Sequence, residues 1–150
     1  MISIRHARPH DHHAIGGFVR SERLRPTGLH WQRFTLALDS EGRIAGAIQI
    51  RHHRDGSREL GSFAVRPDLR GRGIGGGLME QALARDPGPV YLVTREQLIP
   101  YFRRWDFTTL APSAAPGAIR CSHRMGRMGR VVSWWHGREP HRLVILARLD

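Results

Sequence analysis

The 150-residue sequence contains no lysine and no asparagine, and it has one cysteine. Without lysine a Walker A loop is excluded, because that loop needs a lysine to reach the terminal phosphates of a nucleotide. Without asparagine there is no N-glycosylation sequon, and one cysteine cannot form an internal disulfide. Long apolar runs are missing too. None reaches the roughly 18 residues of a membrane-spanning helix, so the sequence predicts no membrane span.

Positive charge is abundant. All 24 residues counted as lysine plus arginine are arginine, and the formal net charge is +11. Such a charge attracts anions, among them phosphorylated cofactors and nucleic acids. The arginines are spread along the chain apart from a looser group at 120–130, so we do not expect nucleic acid as the main partner. The length predicts one domain, residues 1–150, and an N-terminal segment without an apolar core predicts a cytoplasmic location.

Hydrophobic periodicity predicts a chain of alternating strands and helices. Strands are expected near residues 2–6, 34–38, 43–51, 59–65, 90–94 and 143–147. Helices are expected near 9–19, 77–85 and 99–105, the last one beginning near Ile99 because proline fits the first turn of a helix. Residues 112–141 give no clear pattern.

The glycine- and arginine-rich segment Arg70–Gly76 lies between a predicted strand and a predicted helix. Glycines at the start of a helix let the backbone approach a ligand closely. The amides of the first helical turn and the helix dipole then favour an anion, and Arg70 and Arg72 add positive charge. The segment therefore predicts a phosphate-binding site.

A dinucleotide fingerprint is formally present in the same segment, as Gly71, Gly73 and Gly76. That fingerprint expects its first glycine immediately after a strand, within a fold of several βαβ units. Here Arg66–Arg70 separates the strand from Gly71, Pro67 cannot continue a central strand, and one βαβ unit is recognisable. A nicotinamide dinucleotide is therefore not the favoured ligand.

The spacing R-x-x-G-x-G fits better, with Arg70, Gly73 and Gly75 following the strand that ends at Val65. The segment Leu60–Gly75 resembles the cofactor motif of the GNAT superfamily of acetyl-CoA-dependent N-acetyltransferases. A second segment, Tyr101–Phe107, is similar to the late helix of that family. The two motifs have the order and separation of the family and cover roughly residues 59–107.

The resemblance implies an α/β (α+β) fold, with a single mixed, mostly antiparallel twisted sheet, splayed central strands and flanking helices. It also implies transfer of an acetyl group from acetyl-CoA to a primary amine by direct attack in a ternary complex. The substrate expected is a small molecule such as an amino acid, whose carboxylate Arg120 would pair with. The residues implied in acetyl-CoA binding are Phe63, Ala64, Val65, Arg70, Gly71, Arg72, Gly73, Ile74, Gly75 and Gly76.

Two catalytic roles follow from the resemblance. Glu59 takes the position of the family's general base, although an exposed strand-end carboxylate paired with Arg58 is the alternative. The tyrosine that protonates the departing thiolate in the family is replaced here by Phe102, so Tyr101 is the expected acid, one residue earlier. Protonation of the thiolate by solvent is the alternative. Asp106 stands where the family has a glycine, at a position that normally tolerates positive φ.

Other interpretations stay open at this point. The chain could be an acetyl-CoA-binding domain without catalysis, or a basic member of the superfamily acting on amines of RNA or ribosomal proteins. The histidines, which include His52 and His53, lack the companions of a tetrahedral site, so we predict solvated side chains and no metal. Trp134 and Trp135 suit a pocket wall, a homodimer contact or a core.

Overall fold

A computed structural model of the chain describes the backbone of residues 1–135 and 142–150, and the side chains of residues 1–128 and 142–150. Its strands and α-helices alternate along the chain. They are β1 (Ser3–His6), α1 (His12–Ser21), β2 (Phe34–Leu38), β3 (Ile44–His52), β4 (Arg58–Val65), α2 (Ile74–Arg85), β5 (Val90–Arg95), α3 (Ile99–Arg103), β6 (Thr108–Leu110), α4 (Gly117–Trp135) and β7 (Leu143–Arg148).

The chain divides into two compact units. The first comprises residues 1–51 and 60–87, and the second comprises residues 52–59 and 88–150. Strand β4 belongs to both, because its first two residues lie in the second unit and the others in the first.

In the first unit the strands follow the order β1-β2-β3-β4. β1 pairs with β2, and β2 with β3, both in antiparallel register. Helix α1 buries Ile15, Phe18 and Val19, which lie on one face because they are three and four residues apart. These side chains form one cluster with Phe34 and Leu36 of β2. The core of this unit therefore includes the space between α1 and β2.

Helix α2 lies close to the strands of the first unit. Gly46 in β3 permits this approach, because a Cβ there would stand 3.0 Å from Leu78 Cδ1 and 3.1 Å from the Ala64 carbonyl oxygen. At the end of the helix, Arg85 Nη2 donates to the Gln32 carbonyl at 2.6 Å, and Nη1 donates to the Phe34 carbonyl at 3.2 Å. Contacts in its middle and at its end thus set the direction of α2.

In the second unit the order is β4-β5-β7-β6. Glu59 of β4 is in parallel register with Tyr91 of β5, whereas β7 is antiparallel to both β5 and β6. Helix α4 packs against β5 and β7. Ile119 of α4 joins Ala115 and Ile145 in a buried cluster, so this helix completes the core of the unit.

The fold class predicted from the sequence is confirmed: seven strands in mostly antiparallel pairing occur with helices in the described residues. Helix α3 begins at Ile99, as Pro100 required. Strand β6 and helix α4 were not predicted, since β6 has 3 residues and α4 is rich in glycine and arginine. The single domain and the splay of the central strands stay predictions. None of the described helices is both long and apolar enough to span a membrane.

Candidate active site

The segment between β4 and α2 is shaped by two glycines. Gly71 and Gly73 have φ of +77° and +79°, in the left-handed region that favours glycine. A Cβ added at either position would meet nothing within 4 Å. The glycines therefore serve the backbone conformation, and the space above them is open to a ligand.

Helix α2 begins directly after this turn, with Gly73 as its N-cap residue. The first helical hydrogen bond runs from the Gly77 amide to the Gly73 carbonyl at 3.1 Å. The amides of Ile74, Gly75 and Gly76 precede it and have no acceptor within the helix. No acidic residue occupies the first turn, so the positive end of the helix dipole is not offset there.

Two arginines flank the turn. The side chain of Arg70 is 61% exposed, its Nη2 lies 3.7 Å from Glu22 Oε2, and its Nε donates to the Val65 carbonyl at 3.1 Å. Arg72 is exposed. Exposed guanidinium groups beside helix amides and open space fit a diphosphate group.

Strand β4 departs from regular geometry just before the segment Phe63–Val65. Ser62 has φ of +49°, which is uncommon for a residue other than glycine and interrupts the extended backbone. Its hydroxyl lies 2.9 Å from the side-chain amide of the fully buried Gln49, and Arg51 Nη2 donates to it at 3.3 Å. These contacts hold Ser62 in its strained conformation.

Glu59 is buried at the start of β4, with 4% of its surface exposed. Its Oε1 atom lies 2.9 Å from His53 Nε2 and accepts a hydrogen bond from Ser122 Oγ at 2.9 Å. The Arg58 side chain contacts a different group, because its Nη2 donates to the Pro89 carbonyl at 3.1 Å. The alternative of an exposed carboxylate paired with Arg58 is therefore wrong.

Tyr101 and Phe102 lie on different faces of α3. Phe102 is 5% exposed and packs edge to face on Phe107, with ring centroids 6.1 Å apart. Tyr101 is half-buried, and its ring centroid lies 5.1 Å from that of Trp105. Burial raises the pKa of Tyr101, against the opposing effect of the Arg104 charge. The phenol is therefore protonated at neutral pH.

Comparison with known proteins decides the family. The family model described as "Acetyltransferase (GNAT) family" matches residues 3–107, which is more than half of the chain. The chain belongs to the GNAT acetyltransferase family. The comparison with curated proteins finds no significant match.

Solved structures share the fold at low sequence identity. N-acetylglutamate synthase from Neisseria gonorrhoeae, complexed with coenzyme A and L-arginine, is 18% identical with a TM-score of 0.72. The match covers 99% of this chain but 33% of the synthase, so the chain spans about a third of that protein. Rv2747 from Mycobacterium tuberculosis, in complex with CoA and NLQ, is 20% identical, with a TM-score of 0.68 and 99% of both chains covered. A GCN5-related N-acetyltransferase from Kribbella flavida is 19% identical, with a TM-score of 0.62 and coverage of 99% of this chain and 98% of the other.

Sequence reasoning missed two partners of Glu59, the candidate base. His53 was expected to be solvated, which is wrong, because it contacts Glu59 and its side chain is 24% exposed. The turn Asp55–Gly56 between two predicted strands was a signal that could have placed His53 near Glu59. Ser122 carried no such signal, because it lies in the unpredicted helix α4.

The other sequence predictions have different outcomes. Asp106 has φ of +64°, the positive value expected for its position. Arg120 is exposed in α4. The described residues contain no group of three or more His, Cys, Asp or Glu side chains that could hold a metal ion. The side chains of Trp134 and Trp135 lie outside the described residues, so their three interpretations stay open.

The turn that carries His53 is attached to α4 through Asp55. One carboxylate oxygen accepts hydrogen bonds from the Ser57 amide and hydroxyl, and the other accepts from the Ala118 amide at 3.0 Å. The Ser57 hydroxyl first of all, and then the Ala118 and Ser57 amides, lower the pKa of Asp55 to about 2. Asp55 thus joins the turn to the first turn of the helix that supplies Ser122.

Replacing Asp55 by alanine should lower the melting temperature at neutral pH, because the Ala118 and Ser57 donors lose their acceptor. Since folding lowers the pKa from an ordinary 3.8 to about 2, the stabilisation is complete above pH 4 or so and is lost as the pH falls through about 2. The melting-temperature gap between wild type and Asp55→Ala should therefore shrink over this interval in a thermal series. Asp55→Asn, which keeps an acceptor but does not titrate, is the control. A gap that stays constant down to pH 2 would contradict this account.

Proposed function

We propose that the chain is an N-acetyltransferase that moves the acetyl group of acetyl-CoA directly to the primary amine of a small molecule such as an amino acid. The observation that carries this proposal is the open turn at Gly71 and Gly73, which leads into the positive end of α2. The proposal takes residues 1–150 as one acetyltransferase domain.

The turn and the first turn of α2 would bind the diphosphate of acetyl-CoA. The amides of Ile74, Gly75 and Gly76 supply donors, the open space at Gly71 and Gly73 admits the phosphates, and Arg70 and Arg72 balance their charge. The preceding backbone of Phe63, Ala64 and Val65 would bind the pantetheine arm. The Val65 carbonyl already accepts from Arg70 Nε, so we expect this arm to use the other main-chain groups of the segment.

Bound acetyl-CoA supplies a thioester that an amine can attack. A protonated amine cannot attack, and alkyl amines titrate near pH 10, so the site must remove a proton. Glu59 would accept this proton, directly or through water, before the nitrogen lone pair attacks the thioester carbonyl. The C–S bond breaks after the C–N bond has formed, and Tyr101 would protonate the leaving thiolate with the phenol proton that its raised pKa retains. The nitrogen loses its second proton to solvent, which reprotonates Tyr101.

Two observations support an amino acid as the acceptor. The N-acetylglutamate synthase with the same fold is named for an amino-acid product. In this chain the exposed Arg120 would supply a guanidinium that pairs with a carboxylate in a bidentate manner. Thiol release measured over a panel of amino acids, alkyl amines and RNA-associated amines tests this class, and it also separates catalysis from binding alone. We also propose that the protein is located in the cytoplasm and that it forms a homodimer.

Gly73→Glu should weaken acetyl-CoA binding about 100-fold or more in calorimetry, because it brings a carboxylate to the diphosphate and like charges in contact cost several kcal/mol. Gly42→Glu is a matched control, since Gly42 has φ of +77° and also has no atom within 4 Å of an added Cβ. Both substitutions carry the same left-handed backbone cost of about 1–2 kcal/mol. Equal affinities for the two variants would refute the diphosphate site.

Glu59→Gln should lower kcat by about 10²- to 10⁴-fold, the range for loss of a general base, with little change in the acetyl-CoA dissociation constant. Steady-state thiol release gives kcat, and calorimetry gives the dissociation constant. Glu80→Gln, at an exposed position of α2, is the control and should keep full turnover. Full turnover of Glu59→Gln at neutral pH would end the assignment of Glu59 as base.

Tyr101→Phe should lower kcat by about 10²-fold, because the thiolate loses its proton donor. The chain has two tyrosines, so Tyr91→Phe removes the only other phenol and should keep turnover. An unchanged rate in Tyr101→Phe would show that solvent protonates the thiolate.

A further inference from the structure

The carboxylate of Glu59 is held by one of its two oxygens. Both the imidazole of His53 and the hydroxyl of Ser122 contact Oε1, each at 2.9 Å. Among the residues that the structure describes, Oε2 accepts no hydrogen bond. A carboxylate held in this way presents one anchored oxygen and one oxygen with its lone pairs available.

We propose that Oε2 is the atom of Glu59 that takes the amine proton, and that His53 and Ser122 are positioning residues that fix the carboxylate through Oε1. The inference rests on the proposed function, because it assumes that Glu59 is the base. The amine proton passes to Oε2 before the nitrogen attacks the thioester, and neither His53 nor Ser122 gains or loses a proton in this step.

The hydrogen-bond chemistry requires a particular form of His53. An ionised carboxylate only accepts hydrogen bonds, so Nε2 of His53 must carry a hydrogen. The neutral imidazole meets this requirement in its Nε2–H tautomer. Ser122 Oγ donates in the same direction. Two donors on Oε1 prevent rotation of the carboxylate and leave Oε2 directed away from both.

The backbone around His53 is also fixed. The His53 amide donates to the Ser57 carbonyl at 2.9 Å, which closes the turn between β3 and β4. Helix α4 contacts this hairpin twice, through the Ala118 amide on Asp55 and through Ser122 on Glu59. Residues 118 and 122 are four apart and therefore share one face of the helix. The hairpin and the helix thus hold both donors in place together.

His53 meets Glu59 as a hydrogen-bond donor, and the 2.9 Å separation of Nε2 from Oε1 is that of a well-formed bond. Loss of this donor would leave the carboxylate less firmly anchored at Oε1. A replacement that keeps an N–H donor at the same place would keep it anchored.

The test compares kcat at pH 8 and saturating acetyl-CoA, with the amino acid that gives the fastest thiol release in the panel as acceptor. His53→Ala removes the donor and should lower kcat about 10-fold or more, whereas His53→Gln keeps an N–H donor and should restore most of that loss. Ser122→Ala should lower kcat, and Ser122→Thr, which keeps the hydroxyl, should restore it. His52→Gln, one residue away, should match the wild type. Equal kcat values for His53→Ala and His53→Gln overturn the inference.

A second measurement needs neither acceptor nor cofactor. The ¹⁵N shifts of the His53 ring at pH 8 should show the Nε2–H tautomer, and a ring with its hydrogen on Nδ1 would overturn the inference. The variants distinguish failure of Glu59 as the base from failure of His53 and Ser122 as positioning residues. Full turnover of Glu59→Gln removes the base and this inference together. A loss of turnover in Glu59→Gln with equal kcat values for His53→Ala and His53→Gln removes this inference alone.

Discussion

Strand β4 is the constraint on which the proposed chemistry depends. It begins with the buried Glu59, passes through the left-handed Ser62 and ends with the backbone of Phe63–Val65. The strain at Ser62, of about 1–3 kcal/mol, is tolerated because Gln49 and Arg51 contact its hydroxyl.

Burial of Glu59 accounts for the contacts between the segment 52–59 and helix α4 in the second unit. A buried carboxylate is costly unless donors replace its hydration. His53 and Ser122 are those donors, and they come from the hairpin and from α4. Asp55 adds a further bond between the same two elements. The contacts that stabilise this part of the molecule are therefore the same contacts that orient the proposed base.

The sequence predicted the parts of the molecule that local chemistry determines. The turn at Gly71 and Gly73, the start of α3 at Ile99 and the positive φ of Asp106 all follow from single residues or short motifs. Helix α4 was missed because its glycines and arginines blur the apolar period, and its packing on β5 and β7 comes from residues distant in sequence. Ser122 could not be assigned to Glu59 for the same reason, since the contact joins positions 63 residues apart.

The family match covers one part of the candidate site, and helix α4 supplies another part from outside the matched residues. The match ends at residue 107, so it includes the diphosphate turn, Glu59, His53 and Tyr101. Helix α4 begins at Gly117, beyond the match, and it supplies Ser122 as well as the exposed Arg120. The matched part thus carries the groups proposed to bind the cofactor and transfer protons. The helix outside it carries Ser122, which donates to the proposed base, and Arg120, which is proposed to bind the acceptor. On this proposal, the choice of acceptor and the orientation of the base would depend on the same element.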